Sequence, residues 1–407
     1  MSTRYAPTTA LLAAFLWATL APFGIVHAEP KAPPANTLQP GDPAEVGMDA
    51  AALARIPVRM QAFVDQKQIA GAVTLVARAG RVVHLEAVGH ADCETARPAE
   101  KDTMFAIASM TKPVTATAVM ILQDEGKLSV DDPVSKYVPQ FKNVTLDGKP
   151  PQREITLRDL LTHTSGIGGG QQNQGSLKRT VELIAAEPMQ FKPGSQWKYS
   201  PGVTVCGRVI EVASGQPYDE FLAQRIFRPL KMVDTTFYPD AGQQKRLATL
   251  YKPTPDKQSI EPARHWLSEL SPERTPNPSG GLFSTASDLA RFYQMILGGG
   301  QLDGQRIVSP EAVRQMLTVE TGDLTTGFTP GNGWGLGWCI VRQPQEVTQM
   351  LSPGTFGHGG AFGTQGWVDP ARQMIFVLMI QRTGFGNSDG ADIRGEFQRL
   401  AVEAIRD

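Results

Sequence analysis

Strand-like segments gather at the two ends of this chain, and helical patterns fill much of the stretch between them. Residues 71–78 and 81–87 are apolar runs rich in Val, Leu and Ala, joined by Ala79-Gly80, and predict a β-hairpin. Residues 335–341, 354–359, 364–369 and 374–381 predict further strands, with a turn at Pro370-Ala371-Arg372. Helical patterns run over 115–124, ending at Gly126, and over 286–297, stopped by Gly298-Gly299-Gly300. Leu53, Ile56, Met60, Phe63 and Val64 recur at helical spacing, and Pro57 is expected to bend that helix. A last helix places Phe397, Leu400, Ala401, Ala404 and Ile405 on one face. One antiparallel sheet built from both chain ends, with a helical middle inserted, is an α+β arrangement. The expected division is a sheet domain of residues 43–108 and 271–407, flanked by helices, and a helical domain of residues 109–270. Pockets favour such boundaries, so a site is expected between the two.

Composition narrows the function classes. Of 407 residues, 41% are hydrophobic and 19% charged, too apolar for a disordered chain. Lys+Arg number 39 against 40 Asp+Glu, which removes the electrostatic basis for a general nucleic-acid binder. The three cysteines, Cys93, Cys206 and Cys339, include no close pair. That spacing excludes a disulfide-dense mini-domain or a Cys-based zinc finger, and all three are expected as buried thiols. At the amino end, Arg4 precedes an apolar run from Ala10 to Ala21, and Val26-His27-Ala28 offers small residues for cleavage. The run is shorter than the ~18 apolar residues of a spanning helix, and Pro22 interrupts it. Residues 1–28 therefore read as a signal peptide, removed from an exported protein that is periplasmic or secreted. Residues 29–42 read as a Pro-rich linker, and no stable membrane insertion is expected.

Three serines lie in nucleophile-like patterns. Gly386-Asn387-Ser388-Asp389-Gly390 has the Gly-x-Ser-x-Gly spacing of a nucleophile elbow. That mechanism needs a histidine later in the chain, and none follows His358, so the segment reads as a turn. Ser195-Gln196-Trp197-Lys198 is a Ser-x-x-Lys pattern in a Pro-Gly loop with no helix behind it. Ser109-Met110-Thr111-Lys112 differs: an apolar run from Met104 to Ala108 leads in, a helical run follows, and Pro113 suits a first helical turn. Residues three apart share a helical face, which sets Lys112 beside the Ser109 hydroxyl. The helix N-terminus favours developing negative charge, and a lysine serves as base only if burial lowers its pKa. The plain structural alternative is a serine N-cap with a solvated lysine, and the motif alone does not separate the two.

Further segments occur in a fixed order along the chain. They are Leu160-Leu161-Thr162-His163-Thr164-Ser165-Gly166-Ile167, Tyr199-Ser200-Pro201, Ser279-Gly280-Gly281-Leu282-Phe283-Ser284-Thr285 and His358-Gly359-Gly360. Together with Ser109-Met110-Thr111-Lys112 they resemble the serine β-lactamase-like superfamily, which includes class C β-lactamases, DD-peptidases, D-aminopeptidases and family VIII carboxylesterases. The likeness runs from about Pro43 to the C-terminus. It implies a β-lactamase/transpeptidase-like fold: a sheet flanked by helices plus an all-helical domain, with the active site between them. It implies Ser109 as the acylated nucleophile, Lys112 as its proton acceptor and Tyr199 as the partner in proton transfer. His358, Gly359 and Gly360 match the substrate-binding strand that faces the nucleophile. By the same resemblance the backbone N–H groups of Ser109 and Ala361 form the oxyanion hole, each donor being worth ~3 kcal/mol. His163 falls in a turn that the family uses structurally. No metal or other cofactor is expected, because no His/Asp/Glu cluster has ligand spacing.

Departures from the family pattern bear on the substrate. Pro201 stands where an amide-orienting Asn is frequent, and it carries neither a side-chain amide nor an N–H. His358 and Gly359 stand where β-lactamases commonly have Lys and a hydroxyl residue, and a neutral imidazole is a poorer anchor for a carboxylate. The Met-Thr-Lys-Pro context of Ser109 resembles the esterases. The expected protein is an exported serine hydrolase whose partner is a small-molecule ester or amide, with ester cleavage favoured. The alternatives are a β-lactamase or D-amino-acid peptidase, and a non-catalytic binding protein of the same fold.

Overall fold

Main-chain pairing unites the two ends of the chain. A computed structural model describes residues 1–2, 34–169, 175–265, 267, 270–271, 273–327, 329–385 and 392–406. The expected leader, apart from its first two residues, and the Gly386–Gly390 segment lie outside these. Among the described residues the main sheet has nine strands. They are β1 (Gln39–Pro40), β2 (Gly71–Arg78), β3 (Arg81–Asp92), β4 (Arg97–Pro98), β5 (Asn332–Trp334), β6 (Cys339–Val341), β7 (Phe356–Gly359), β8 (Gln365–Asp369) and β9 (Met374–Met379). Their order is β1-β3-β2-β9-β8-β7-β6-β5, with β4 paired to β3. All pairs are antiparallel except β1 with β3. The two ends meet where β2 pairs with β9, Val76 opposite Phe376 and Leu75 opposite Val377. The end of the Pro-rich segment joins the sheet as β1, an edge position where the missing Pro40 N–H is tolerated.

Six helices frame the site: α1 (Arg55–Asp65), α2 (Thr111–Asp124), α3 (Leu157–Leu161), α4 (Gly202–Ser214), α5 (Ala286–Leu297) and α6 (Asp392–Glu403). Both faces of the sheet are covered. Val73, Leu75, Ala77, Ile375, Val377 and Met379 join the large core with Leu289, Phe292, Tyr293 and Ile296 of α5. Ala72, Val76, Met374, Phe376 and Leu378 point the other way, to Ile56, Met60 and Phe63 of α1 and Ile393, Phe397 and Leu400 of α6. This double burial explains why the central strands read as unbroken apolar runs rather than alternating ones. Each buried Val, Leu, Ile, Met or Phe contributes about 1.5–3 kcal/mol. Among the described residues no helix is long and apolar enough to cross a membrane.

Helix α2 is buried all round, with every residue from Thr111 to Leu122 enclosed. Its hydroxyls are satisfied inside. Thr117 Oγ1 donates to the Pro113 carbonyl (2.9 Å), and Thr115 Oγ1 donates to the Pro278 carbonyl (2.7 Å). The second bond ties α2 to the loop that carries Ser279. A short ribbon does the same from the other side, pairing Phe105 with Ser284 and Ala106 with Phe283.

Several expectations are corrected. The helix expected to bend at Pro57 is interrupted within the turn before it: a separate turn Ala50–Leu53 ends at Ala54, next to the Leu53 carbonyl that Pro57 cannot serve, and Pro57 sits in the first turn of α1. Residues 335–341 are not one strand, because β5 and β6 form a hairpin whose turn holds Gly335–Trp338. Gly337 adopts φ +80°, and a Cβ there would lie 2.5 Å from Ala116 Cβ on α2, so the turn is pressed against the central helix. Cys206 and Cys339 are buried, but Cys93 is exposed in the β3–β4 turn.

Candidate active site

Ser109 sits in a single 3-10 turn, Ala108–Met110, that runs directly into α2. Ala108 holds φ +44°, a left-handed backbone that costs about 1–3 kcal/mol for a residue with a Cβ and persists only where packing imposes it. Lys112 follows in the first turn of α2. Its Nζ lies 3.2 Å from Ser109 Oγ and donates to the Ser279 carbonyl at 2.7 Å. The side chain is 3% exposed, and burial pushes the amine down to about 7. Near pH 7 a substantial share of the amine is therefore neutral, with a lone pair free to take the Ser109 proton.

Tyr199 packs its ring under the same amine, with Lys112 Nζ 4.5 Å from the ring centroid. The placement of Tyr199 depends on His163. The His163 carbonyl accepts from Lys198 N (3.0 Å), and His163 Nδ1 accepts from Ser200 N (3.2 Å), so both neighbours of Tyr199 are gripped by one residue. The imidazole stacks on the Tyr199 ring with centroids 4.5 Å apart, tilted by 33°. His163 itself holds φ +60° and is fully enclosed. Burial, with Lys112 and His358 nearby, keeps its pKa well below the ordinary value and the ring neutral.

The structure brings Ser109, Lys112, Tyr199 and Ala361 onto the wall of one cavity of about 330 Å³. Gly280, Ser279, Asn277, Thr204 and Phe362 also line it. His358, Gly359 and Gly360, expected to bind substrate, are not among the residues that line this cavity. His358 is 3% exposed, its Nδ1 donates to the Gly359 carbonyl at 2.7 Å, and its ring stands edge-on to Trp334 with centroids 5.6 Å apart. Burial and the charge of Lys112 lower its pKa to about 3, so it is a neutral packed imidazole. Gly360 is closely packed. A Cβ there would lie 2.1 Å from Thr364 Oγ1 and 2.5 Å from the Ile107 carbonyl.

Residue types gave no sign of the Ser279 carbonyl, which acts through its backbone, nor of Thr204, whose hydroxyl pairs with Ser279 Oγ at 2.7 Å. The second Ser-x-x-Lys pattern is apart from this cluster. Ser195 donates to the Lys192 carbonyl and Lys198 reaches Gln190, both in an exposed loop. Among the described residues no group of three or more His, Cys, Asp or Glu is placed to hold a metal ion.

A sheet covered by helices on both faces, with a serine at the start of a buried helix and a neutralised lysine beside it, defines a β-lactamase/transpeptidase-like serine hydrolase. The chain belongs to the beta-lactamase family: the family model described as Beta-lactamase matches residues 59–401. It is 31% identical over 389 residues to the esterase EstB of Burkholderia gladioli, covering 86% of this chain and 95% of that one. It is 30% identical over 303 residues to a putative D-alanyl-D-alanine carboxypeptidase of Escherichia coli (strain K12), covering 68% of each. Among solved structures, EstCE1, a hydrolase with promiscuous acyltransferase activity, superposes with a TM-score of 0.77 at 25% identity, covering 88% of this chain and 99% of that one.

Proposed function

We propose that this protein is an exported serine hydrolase that cleaves carboxylic esters through an acyl-enzyme on Ser109. Neutral Lys112 takes the hydroxyl proton as Ser109 Oγ attacks the ester carbonyl carbon. The resulting oxyanion is held by the backbone N–H groups of Ser109 and Ala361. Tyr199 passes a proton to the departing alcohol oxygen as the C–O bond breaks, leaving the acyl group on Ser109. Water then attacks the acyl carbon, gives its proton to the Lys112–Tyr199 pair, and the carboxylic acid departs as Ser109 Oγ is reprotonated.

The observation that carries this reading is the Lys112 amine, buried, 3.2 Å from Ser109 Oγ and lowered to about 7 by desolvation. The preference for esters rests on what the cavity lacks. Among its described lining residues Lys112 is the sole Lys or Arg, and the other basic side chain, His265, is held below its ordinary pKa by burial. A β-lactam or a D-peptide presents a carboxylate that calls for a fixed cation, and an ester does not. The likeness to EstB agrees with this preference.

Intact-mass spectrometry across a small panel of esters, D-peptides and β-lactams tests the reading. The wild-type protein should gain one acyl mass from the esters, and Ser109→Ala should gain none. Stable adducts from β-lactams or D-peptides alone would replace the ester assignment. Export is tested by the N-terminus of the protein recovered outside the cytoplasm, expected at Glu29. Gly360→Ala adds a check on the oxyanion hole. Its Cβ meets Thr364 Oγ1 and the Ile107 carbonyl, so the backbone leading into Ala361 must shift and ester turnover should fall by about 10²–10³. A variant within threefold of wild type would show that the Ala361 amide is not used.

A further inference from the structure

We infer that a second cavity, beside the nucleophile and closed from it by Phe362 and Leu267, receives an extended apolar portion of the ester. This rests on the ester reading above and deepens it. The second cavity measures about 360 Å³. Leu267 and Phe362 line both cavities, and each is 2% exposed, so the two side chains form a shared partition. The backbone links the cavities as well. Ala106 faces the second and Ala108 and Ser109 the first, while Ala361 faces the first and Phe362 both. Each volume alone is at the low end of the ~300–1,000 Å³ of small-molecule sites, and together they accommodate a longer ligand.

One side of the second cavity is hydrocarbon. Leu250, Leu267, Phe283 and Phe362 belong to one apolar cluster with Met104, Ala106 and Ala108. The polar side chains that line the rest of the cavity are engaged with protein partners. Asp92 accepts from Thr249 Oγ1 (2.6 Å), Arg97 donates to the Leu247 carbonyl, and Gln244 donates to the Pro239 carbonyl (2.8 Å). Gln381 exchanges two hydrogen bonds with the Ala106 backbone (2.9 and 3.3 Å). With those groups engaged elsewhere, an alkyl or aryl chain can lie along the apolar side of the wall, away from Asp92 and Arg97. Phe362 stands edge-on to His265, with centroids 4.8 Å apart, and swinging its ring about two torsions joins the cavities.

Two ester series read the inference. Nitrophenyl butanoate and dodecanoate vary the acid at constant alcohol. Butyl and dodecyl acetates vary the alcohol at constant acid. Ala248→Phe fills the second cavity and should lower the long-to-short ratio of kcat/KM by about tenfold or more in one series, which identifies the chain that enters. Phe362→Ala removes the partition and should raise that same ratio by a similar factor. Ala263→Leu repeats the filling from the opposite wall should Ala248→Phe fail to fold. Ratios within about twofold of wild type in both series, for the filled and the opened variants alike, overturn the inference. An acyl adduct on Ser109 from the butanoate, measured alongside, then shows that the ester reading survives. With no such adduct, both fall together.

Discussion

Replacing Lys112 by methionine is expected to lower ester kcat by about 10³–10⁴, the range of a positioned acid–base group. The expectation follows from Lys112 being the base in contact with the nucleophile. Lys112 Nζ touches Ser109 Oγ at 3.2 Å, and the imidazoles nearest to it, His163 and His358, are packed against rings with their Nδ1 atoms committed to backbone groups. The pH profile carries the sign. The neutral amine is the active form, and burial sets it at about 7, so kcat/KM should rise with pH through about 7 and level off above. Stability should follow the same group. The unfolded lysine titrates near ~10.4 and the folded one at about 7, so between these values the unfolded chain binds more protons and stability rises with pH. Lys112→Met removes that slope as well as the activity. A rate profile flat from about pH 5 to about pH 9 in the wild-type protein would sink the role given to this amine.

The second large effect concerns Tyr199 and the residue that holds it. Tyr199→Phe is expected to lower ester kcat by about 10²–10³ with little change in KM. His163→Leu should come close to that loss although His163 does not line the cavity. Its carbonyl and Nδ1 fasten the backbone on either side of Tyr199, and its ring supports the phenol face. Leucine keeps much of the bulk but leaves the Ser200 N–H without its acceptor, at a cost of about 1–3 kcal/mol. His163→Asn should retain most of the activity. Asparagine tolerates the left-handed φ of +60° and sets an oxygen where Nδ1 stands. The double variant His163→Leu/Tyr199→Phe should be no slower than Tyr199→Phe alone, because the clamp has nothing left to position. Losses that multiply in the double variant, with folding intact by circular dichroism, would detach His163 from Tyr199.

Legibility in the sequence followed the range of the forces involved. Ser109 and Lys112 could be paired on paper because three residues of helix fix their relation, and the apolar run before them foretold the burial that neutralises the amine. The hairpin β2–β3, strands β8 and β9 and helix α5 were readable because their apolar patterns are continuous and their ends carry Gly or turn residues. The β5–β6 turn was not readable. Gly335 and Gly337 look like strand interruptions of no consequence until Met316 and Ala116, far away in sequence, are seen against them. The orientation of His358 was hidden for the same reason, since its ring answers to Trp334 and Tyr199. The Ser279 carbonyl could not be anticipated from side-chain chemistry. Phe362 looked like an ordinary apolar residue, and its place between two cavities depends on Leu267 and Phe283, which arrive from another part of the chain.

The pairing of β2 with β9 also governs how the protein comes into being. Val76 cannot find Phe376 until the roughly 300 residues between them have been synthesised, and contacts of such separation close slowly. Until then β2 offers an unmated edge to any neighbouring strand. Loss of the last strand, by nonsense mutation or proteolysis, would leave that edge permanently exposed and turn a late-folding hydrolase into an aggregating fragment.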